Sequence, residues 1–345
     1  MKTLKDFNFR GKRVLVRCDF NVPLSEKGLI SDDFRIKKSL PTIEYLVKKG
    51  ARLILMSHLG KPKGRIVEGL RLTPIQNKLM EYLDLSVTKA PDCLGQEIEK
   101  WTYQMKPGEI LLLENLRFHK EELENDLDFA AKLSRLGDIF INEAFSVCHR
   151  NQASIVGIPK YLPSGAGFLL EKEIKILSQI IKNPKRPLVV IIGGSKVEDK
   201  AKMAKRFLKI ANYLLIGNLI DNEIKKKKIK IENPQNFFPP IDSKENLDLG
   251  EKTTKIFKEK ISKAKTVFWA GPLGKIEEKK YQKGTKEIAE AIIKSQAFSV
   301  IGGGDTIEFL NKIGLIEKFN HISIGGGAML QFLSGEKLPG IEALK

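Results

Sequence analysis

Residues able to grip an anion recur in this sequence at one kind of place, the point where a short apolar run stops. The run at 14–20 carries Asp19 and leads to Asn21, with Arg35 further on behind Asp32 and Asp33. The run at 52–57 passes into Ser57-His58-Leu59-Gly60-Lys61, and the run at 110–113 into Glu114-Asn115-Leu116-Arg117. The run at 139–141 passes into Asn142-Glu143, with His149 and Arg150 downstream. Arg35, Arg117 and Arg150, with Lys61, His58 and His149, suit a ligand bearing phosphate or carboxylate, because guanidinium forks grip such groups through paired hydrogen bonds. The second half of the chain uses glycine instead. Gly193-Gly194-Ser195-Lys196, Gly302-Gly303-Gly304-Asp305-Thr306 and Gly325-Gly326-Gly327 each follow an apolar run and precede a helical pattern. Glycine lets the backbone approach a ligand, and N–H groups at helix starts hold phosphate oxygens. Lys196 adds a mobile positive charge, and Asp305 is an oxygen ligand suited to Mg2+. Neither GxxxxGK[ST] nor GxGxxG occurs. An anion-binding half and a nucleotide-phosphate-binding half together predict phosphoryl transfer, which asks of a protein mainly positioning, charge neutralisation and exclusion of water.

These residues need a scaffold that brings strand ends together. The runs at 14–20, 52–57, 110–113, 139–141, 188–192, 213–216, 266–269 and 298–301 are mostly aliphatic on both faces, as in parallel strands covered by helices on both sides. Helical patterns at 39–49, 73–83, 126–136, 201–210 and 284–294 lie between them. The alternation predicts an α/β fold, drawn as two Rossmann-like three-layer α/β/α domains whose parallel sheets face a central cleft. Ligands in such sheets bind at the carboxyl ends of the strands. At roughly 100–200 residues per domain, two domains are expected. The segment 159–167, with two prolines and two glycines, marks the division. The expected domains are 1–167 and 183–335, joined by a helix at 168–182, with 336–345 returning to the first. The stretch 232–249 reads as loop with one short strand.

Hydrophobic residues make up 42% of the chain and charged residues 30%, which excludes a disordered or fibrous protein. The net charge of +18 divides into +6 over residues 1–170 and +12 over 171–345, so it is no detachable basic tail. A positive field attracts phosphorylated metabolites. The lysine run KKKKIK at 225–230 reads as a solvated face. Cys18, Cys93 and Cys148 are scattered without CxxC spacing, which argues against a disulfide framework or a thiolate zinc site. No stretch of 18 apolar residues exists and the N-terminus has no apolar leader, so a cytoplasmic protein without a membrane span is expected.

Longer motifs go further. The stretches VLVRCDFNVPL (14–24), LPTIEYLVKKGARLILMSHLG (40–60), LLLENLRFHKEE (111–122), NEAFSVCHR (142–150), NPKRPLVVIIGGSKVEDK (183–200), GPLG (271–274), IGGGDT (301–306) and HISIGGGA (321–328) closely resemble the phosphoglycerate kinase family, over nearly the whole chain. The resemblance implies a two-domain, hinge-bending, monomeric enzyme of glycolysis. It would move the acyl phosphate of 1,3-bisphosphoglycerate to MgADP, giving 3-phosphoglycerate and MgATP, reversibly. Asp19, Asn21, Arg35, His58, Lys61, Arg117 and Arg150 match the family's triose-phosphate site, and Arg35 has a further place beside the transferring group. Lys196 matches the lysine that follows the phosphoryl group, and Lys200 a second phosphate-contacting lysine. Gly193, Gly194, Gly303 and Gly304 match backbone contacts to the nucleotide, and Gly326 and Gly327 match glycines beside the transfer site. Asp305 matches the Mg-nucleotide aspartate, Thr306 sits beside the nucleotide phosphates, and Glu277 aligns with the acid that binds the ribose hydroxyls.

The chain departs from the family pattern in places. Lys61 replaces an arginine, keeping the charge without the fork. Glu143 and Ser146 alter the NDAFG motif; Ser195, Ala270, Ile276, Ile324 and Glu251 are further departures. After Gly217 a glycine-rich segment with a long helix and strand is missing, so the wall of the adenine pocket is expected to be reduced. Two other readings therefore stand beside the first: a related kinase with altered nucleotide preference or weakened activity, and a non-enzymatic basic binding module.

Overall fold

The computed structural model describes residues 1–194, 197–228 and 234–345. They form two compact units: Met1–Ile174 with Lys337–Lys345, and Lys175–Glu336.

In the first unit, strands β1 (Arg13–Arg17), β2 (Arg52–Met56), β3 (Val87–Lys89), β4 (Ile110–Leu112), β5 (Ile139–Asn142) and β6 (Ser164–Ala166) form one sheet in the order β3-β4-β2-β1-β5-β6. Every pairing is parallel. Helices α1 (Phe34–Lys48), α2 (Thr73–Leu83), α3 (Gln96–Gln104), α4 (Lys120–Glu124) and α5 (Leu127–Ser134) connect the strands. Every residue of β1 is buried, which is why its run shows no polar alternation. Each such aliphatic side chain contributes about 1.5–3 kcal/mol by leaving water. Helix α6 (Phe168–Lys182) contains the division between the units.

The second unit repeats the plan. Strands β7 (Leu188–Ile192), β8 (Tyr213–Ile216), β9 (Phe237–Phe238), β12 (Thr266–Ala270), β13 (Phe298–Gly302) and β14 (His321–Ser323) form a parallel sheet in the order β14-β13-β12-β7-β8-β9, and β10 (Ser243–Lys244) pairs with β11 (Asp248–Leu249) as a separate antiparallel ribbon. Helices α7 (Val197–Ile210), α8 (Asn218–Lys226), α9 (Glu251–Ser262), α10 (Lys283–Ser295), α11 (Gly304–Lys312) and α12 (Gly327–Ser334) complete it. The short helix α13 (Pro339–Glu342) belongs to the first unit, where Gly340 N–H donates to Cys148 O at 2.9 Å.

Two differences from the sequence expectation are local. Helix α1 starts at Phe34 and runs through Pro41. The stretch expected as loop with one strand holds three two-residue strands, β9, β10 and β11, each too short to show a period. Part of the lysine run, 229–230, lies outside the described residues, and its start closes α8.

The start of α6 rests on a buried acid. Thr42 Oγ1 donates to Glu143 Oε1 at 2.7 Å and accepts from Phe168 N–H at 3.0 Å, while Leu169 N–H donates to both carboxyl oxygens of Glu143 at 3.1 and 3.2 Å. Gly167 passes so close that a Cβ there would lie 1.8 Å from Glu143 Oε2. Burial pushes the Glu143 carboxyl up to about 8, against the opposing pull of Thr42 and the α6 backbone. In the unfolded chain this group ionises near 4.5. Between these values the folded state keeps a proton that the unfolded state has lost, so stability falls as pH rises. Glu143→Gln removes the titration and is expected to flatten the slope, by up to about 1.4 kcal/mol per pH unit, in urea unfolding of both proteins between about pH 5 and pH 8.

Candidate active site

Because all six strands of the first sheet run the same way, their carboxyl ends deliver side chains to one edge. Asp19 and Asn21 follow β1, Ser57, His58 and Lys61 follow β2, Asn115 and Arg117 follow β4, and Ser146 and Arg150 follow β5. Connections leave β1 toward β2 on one side while β5 lies on the other, so this edge is a switch point of the kind where open α/β sheets bind ligands.

The structure joins most of the predicted residues into one network. Asp19 is buried; Arg35 and the Ser146 hydroxyl both bond its Oδ2, and Asn21 N–H donates to Oδ1 at 3.1 Å. Burial opposes its charge, yet Arg35, the Ser146 hydroxyl and the Asn21 amide hold its pKa at about 2. Asn21 Oδ1 accepts from Gly60 N–H at 2.8 Å. Asn115 fixes the same loop: its amide donates to Leu59 O and Leu70 O at 2.8 and 2.9 Å, and its Oδ1 accepts from the N–H groups of Leu59 and Arg117. Arg117 is 3% exposed. Its Nη1 donates to Gly60 O at 2.8 Å, while Nε and Nη2 are buried with no partner among the described residues. Burial, then Arg150 and Arg17, lower it to about 10, so it stays cationic at neutral pH. A buried cation with idle donors is complete only when an anion reaches it.

His58 is set by a residue that sequence reasoning missed. Arg17, fully buried at the end of β1, places Nη2 3.2 Å from His58 Nδ1. Arginine only donates, so Nδ1 accepts and the imidazole proton sits on Nε2. Burial, then Arg17, hold the ring well below the usual histidine range, so it is neutral. A charged residue closing an apolar strand was the available signal for Arg17. Ser146 and Asn115 carried none beyond their place near a strand end. Lys61 is exposed, and Arg35 and Arg150 are half-buried.

In the second unit a cavity of about 280 Å³ opens at the equivalent edge. Gly194 after β7 and Pro272 after β12 line it, again where the connections diverge. Gly193 is obligatory here, because a Cβ would sit 2.2 Å from Pro272 O. Predicted residues Gly194, Glu277 and Asp305 line the cavity. Gly303 precedes α11 with φ +93°, Gly304 opens that helix, and Gly326 and Gly327 stand at the start of α12. Helix starts at the strand ends offer unsatisfied N–H groups to phosphate. Lys200 Nζ donates to Gly193 O rather than reaching into the cavity. Lys196 lies outside the described residues. The expected loss of the base wall is answered by α8 and the β10–β11 ribbon: Leu219, Asn246 and Leu247 line the cavity, and Lys275 N–H pins Leu247 O at 2.7 Å.

The donor set also fits a magnesium nucleotide. Asp305 is exposed in the first turn of α11, and next to it Thr306 Oγ1 is buried with no partner among the described residues. The Asp305 carboxylate, at a helix start lining the cavity, is a hard-oxygen ligand of the kind Mg2+ takes.

Comparison with known proteins bears on the whole chain. The family model described as "Phosphoglycerate kinase" matches residues 4–236 and 219–336. A phosphoglycerate kinase of Borrelia garinii subsp. bavariensis is 44% identical over 391 aligned positions, covering 100% of this chain and 99% of that protein. One of Dictyoglomus turgidum is 41% identical, covering 99% and 98%. The Borrelia alignment is longer than this chain's 345 residues, so that relative carries segments absent here. Among solved structures, phosphoglycerate kinase from Pyrococcus horikoshii OT3 superposes with a TM-score of 0.88 at 33% identity, covering 100% of this chain and 98% of that one. That from Coxiella burnetii gives 0.85 at 31%, covering 99% and 98%.

Proposed function

The chain belongs to the phosphoglycerate kinase family, and on that premise we propose how its residues divide the work of the reaction. The enzyme transfers a phosphoryl group between bisphosphoglycerate and ADP. Asp19, Asn21, Arg35, His58, Lys61, Arg117 and Arg150 bind the triose phosphate in the first unit. The observation that carries this assignment is Arg117, buried and cationic with two idle donors. Arg35 neutralises charge on the transferring group. In the second unit Gly193, Gly194, Gly303, Gly304 and Thr306 present the nucleotide phosphates with backbone and hydroxyl donors, and Glu277 takes the ribose. Lys200 supports the Gly193 carbonyl and adds positive charge behind it. Lys196, Gly326 and Gly327 attend the transferred group. Asp305 would hold Mg2+, which supplies charge neutralisation to the nucleotide phosphates. The acceptor oxygen is already ionised, so no general base is assigned. We further propose a cytoplasmic monomer in which α6 serves as a hinge for closure over both substrates. No helix among the described residues is long and apolar enough to cross a membrane.

A coupled assay with 3-phosphoglycerate and MgATP tests the reading. Turnover far above a Lys196→Ala variant is expected, and none above it overturns the assignment. Asp305→Asn is expected to raise the KM for the nucleotide about tenfold or more, with the KM for 3-phosphoglycerate little changed. Equal rates with GDP and ADP would reassign the nucleotide preference.

A further inference from the structure

A second cluster of ligating side chains lies in the first unit, formed by residues to which the reaction assigns no role. Asp92 and Cys93 sit in the loop after β3, and His119 is the residue from which α4 starts. A carboxylate oxygen of Asp92, the sulfur of Cys93 and a ring nitrogen of His119 all lie within 4.8 Å of one another. His119 Nε2 and Asp92 Oδ1 are 2.6 Å apart, and Cys93 N–H donates to the same oxygen at 2.6 Å. Cys93 is a free thiol and buried, whereas Asp92 and His119 are half-exposed. The cluster thus has a dry sulfur side and a side open to solvent. Burial first, and then the carboxyls of Asp92 and Glu122, hold this thiol well above its usual range.

We propose that Asp92, Cys93 and His119 form a binding site for a thiophilic divalent cation, zinc above all, with solvent as the fourth ligand. Thiolate, imidazole and carboxylate together are a zinc donor set, whereas Mg2+ prefers oxygen alone. Zinc–ligand bonds of about 2.0–2.3 Å place ligand atoms roughly 3.3–3.8 Å apart, so side-chain shifts of about an ångström complete the site. On binding, the Cys93 thiol loses its proton to water as the sulfur–metal bond forms, and His119 breaks its Nε2–H bond to Asp92, that proton moving to Nδ1 or, from the cation, to water, so that Nε2 gives a lone pair. His119 N–H donates to Leu116 O at 3.2 Å, so the site is built on the turn that carries Arg117.

The test is a cobalt titration of the full-length, chelator-treated enzyme in excess Mg2+. One equivalent of Co2+ is expected to produce an intense thiolate-to-cobalt charge-transfer band with tetrahedral visible absorption, abolished by one equivalent of Zn2+. Magnesium at the nucleotide site gives neither signal. The band should vanish in Cys93→Ser and His119→Gln and persist in Cys148→Ser. Asp92→Asn, at a half-exposed position, should weaken cobalt affinity about tenfold or more. A wild-type protein with no band at stoichiometric Co2+ overturns the proposal. So does a band that survives both Cys93→Ser and His119→Gln, or one lost only with Cys148.

Discussion

Arg117→Ala is expected to lower kcat/KM for 3-phosphoglycerate by about 10²–10⁴-fold, through two charge-assisted hydrogen bonds worth roughly 1.5–3 kcal/mol each. The reasoning starts from the two idle donors, Nε and Nη2, which the protein buries without satisfying. Folding has already paid to desolvate them, so a substrate anion gains nearly their full strength. Arg117→Lys should recover only part of the loss, because a point charge cannot fill a forked site. Thermal stability should change little or rise, since the variant removes a cation that burial and Arg150 both disfavour. Steady-state kinetics with 3-phosphoglycerate varied, beside a melting curve, separates binding from folding. A variant with unchanged kcat/KM removes Arg117 from the site.

Arg17→Met is expected to destabilise the first unit by about 3–5 kcal/mol, the usual effect of breaking a buried ion pair from one side. Arg17 is fully buried, with Nε donating to Ser154 Oγ at 2.8 Å and Nη1 to Cys18 O. Ser154 Oγ donates onward to Glu122 Oε1 at 2.7 Å, and Arg17 Nη2 itself stands 4.0 Å from that oxygen. Without the guanidinium, Glu122 is left as a buried carboxylate that must protonate or destabilise its surroundings. Burial already raises Glu122, so the loss should be smaller at acidic than at neutral pH. Arg17→Met/Glu122→Gln should recover a part of it, with a coupling of about 0.5–3 kcal/mol. Trp101 lies in the first unit and Trp269 in the second, so a Trp269→Phe background lets fluorescence report on the first alone. Urea unfolding in that background checks the prediction, and additive effects of the two substitutions would dissolve the pair.

Much of the scaffold was legible in the chain. Parallel strands buried on both faces have no polar alternation, so β7 throughout, and β1, β2 and β12 inside their end residues, show as unbroken apolar runs. Short edge strands such as β3, β6 and β14 have three residues each, too few for any period. The anion-binding residues were legible for a related reason: a parallel sheet must put its functional side chains just past strand ends, and those positions follow each run directly.

What the chain by itself determined is therefore the alternation of elements, the glycine turns, and the kind of ligand that Asp19, His58, Arg117 and Asp305 can hold. Those are local properties, set by side-chain period, backbone freedom and charge. Only the tertiary structure decided which of these residues are idle, neutral or already engaged. Ser146 reaches Asp19 across 127 residues and Glu143 reaches Thr42 across 101, because strand order and not sequence distance makes neighbours. The neutral His58, the unsatisfied Arg117 and the meeting of Cys93 with His119 follow from burial and from the folded positions of their partners, which no spacing in the chain encodes.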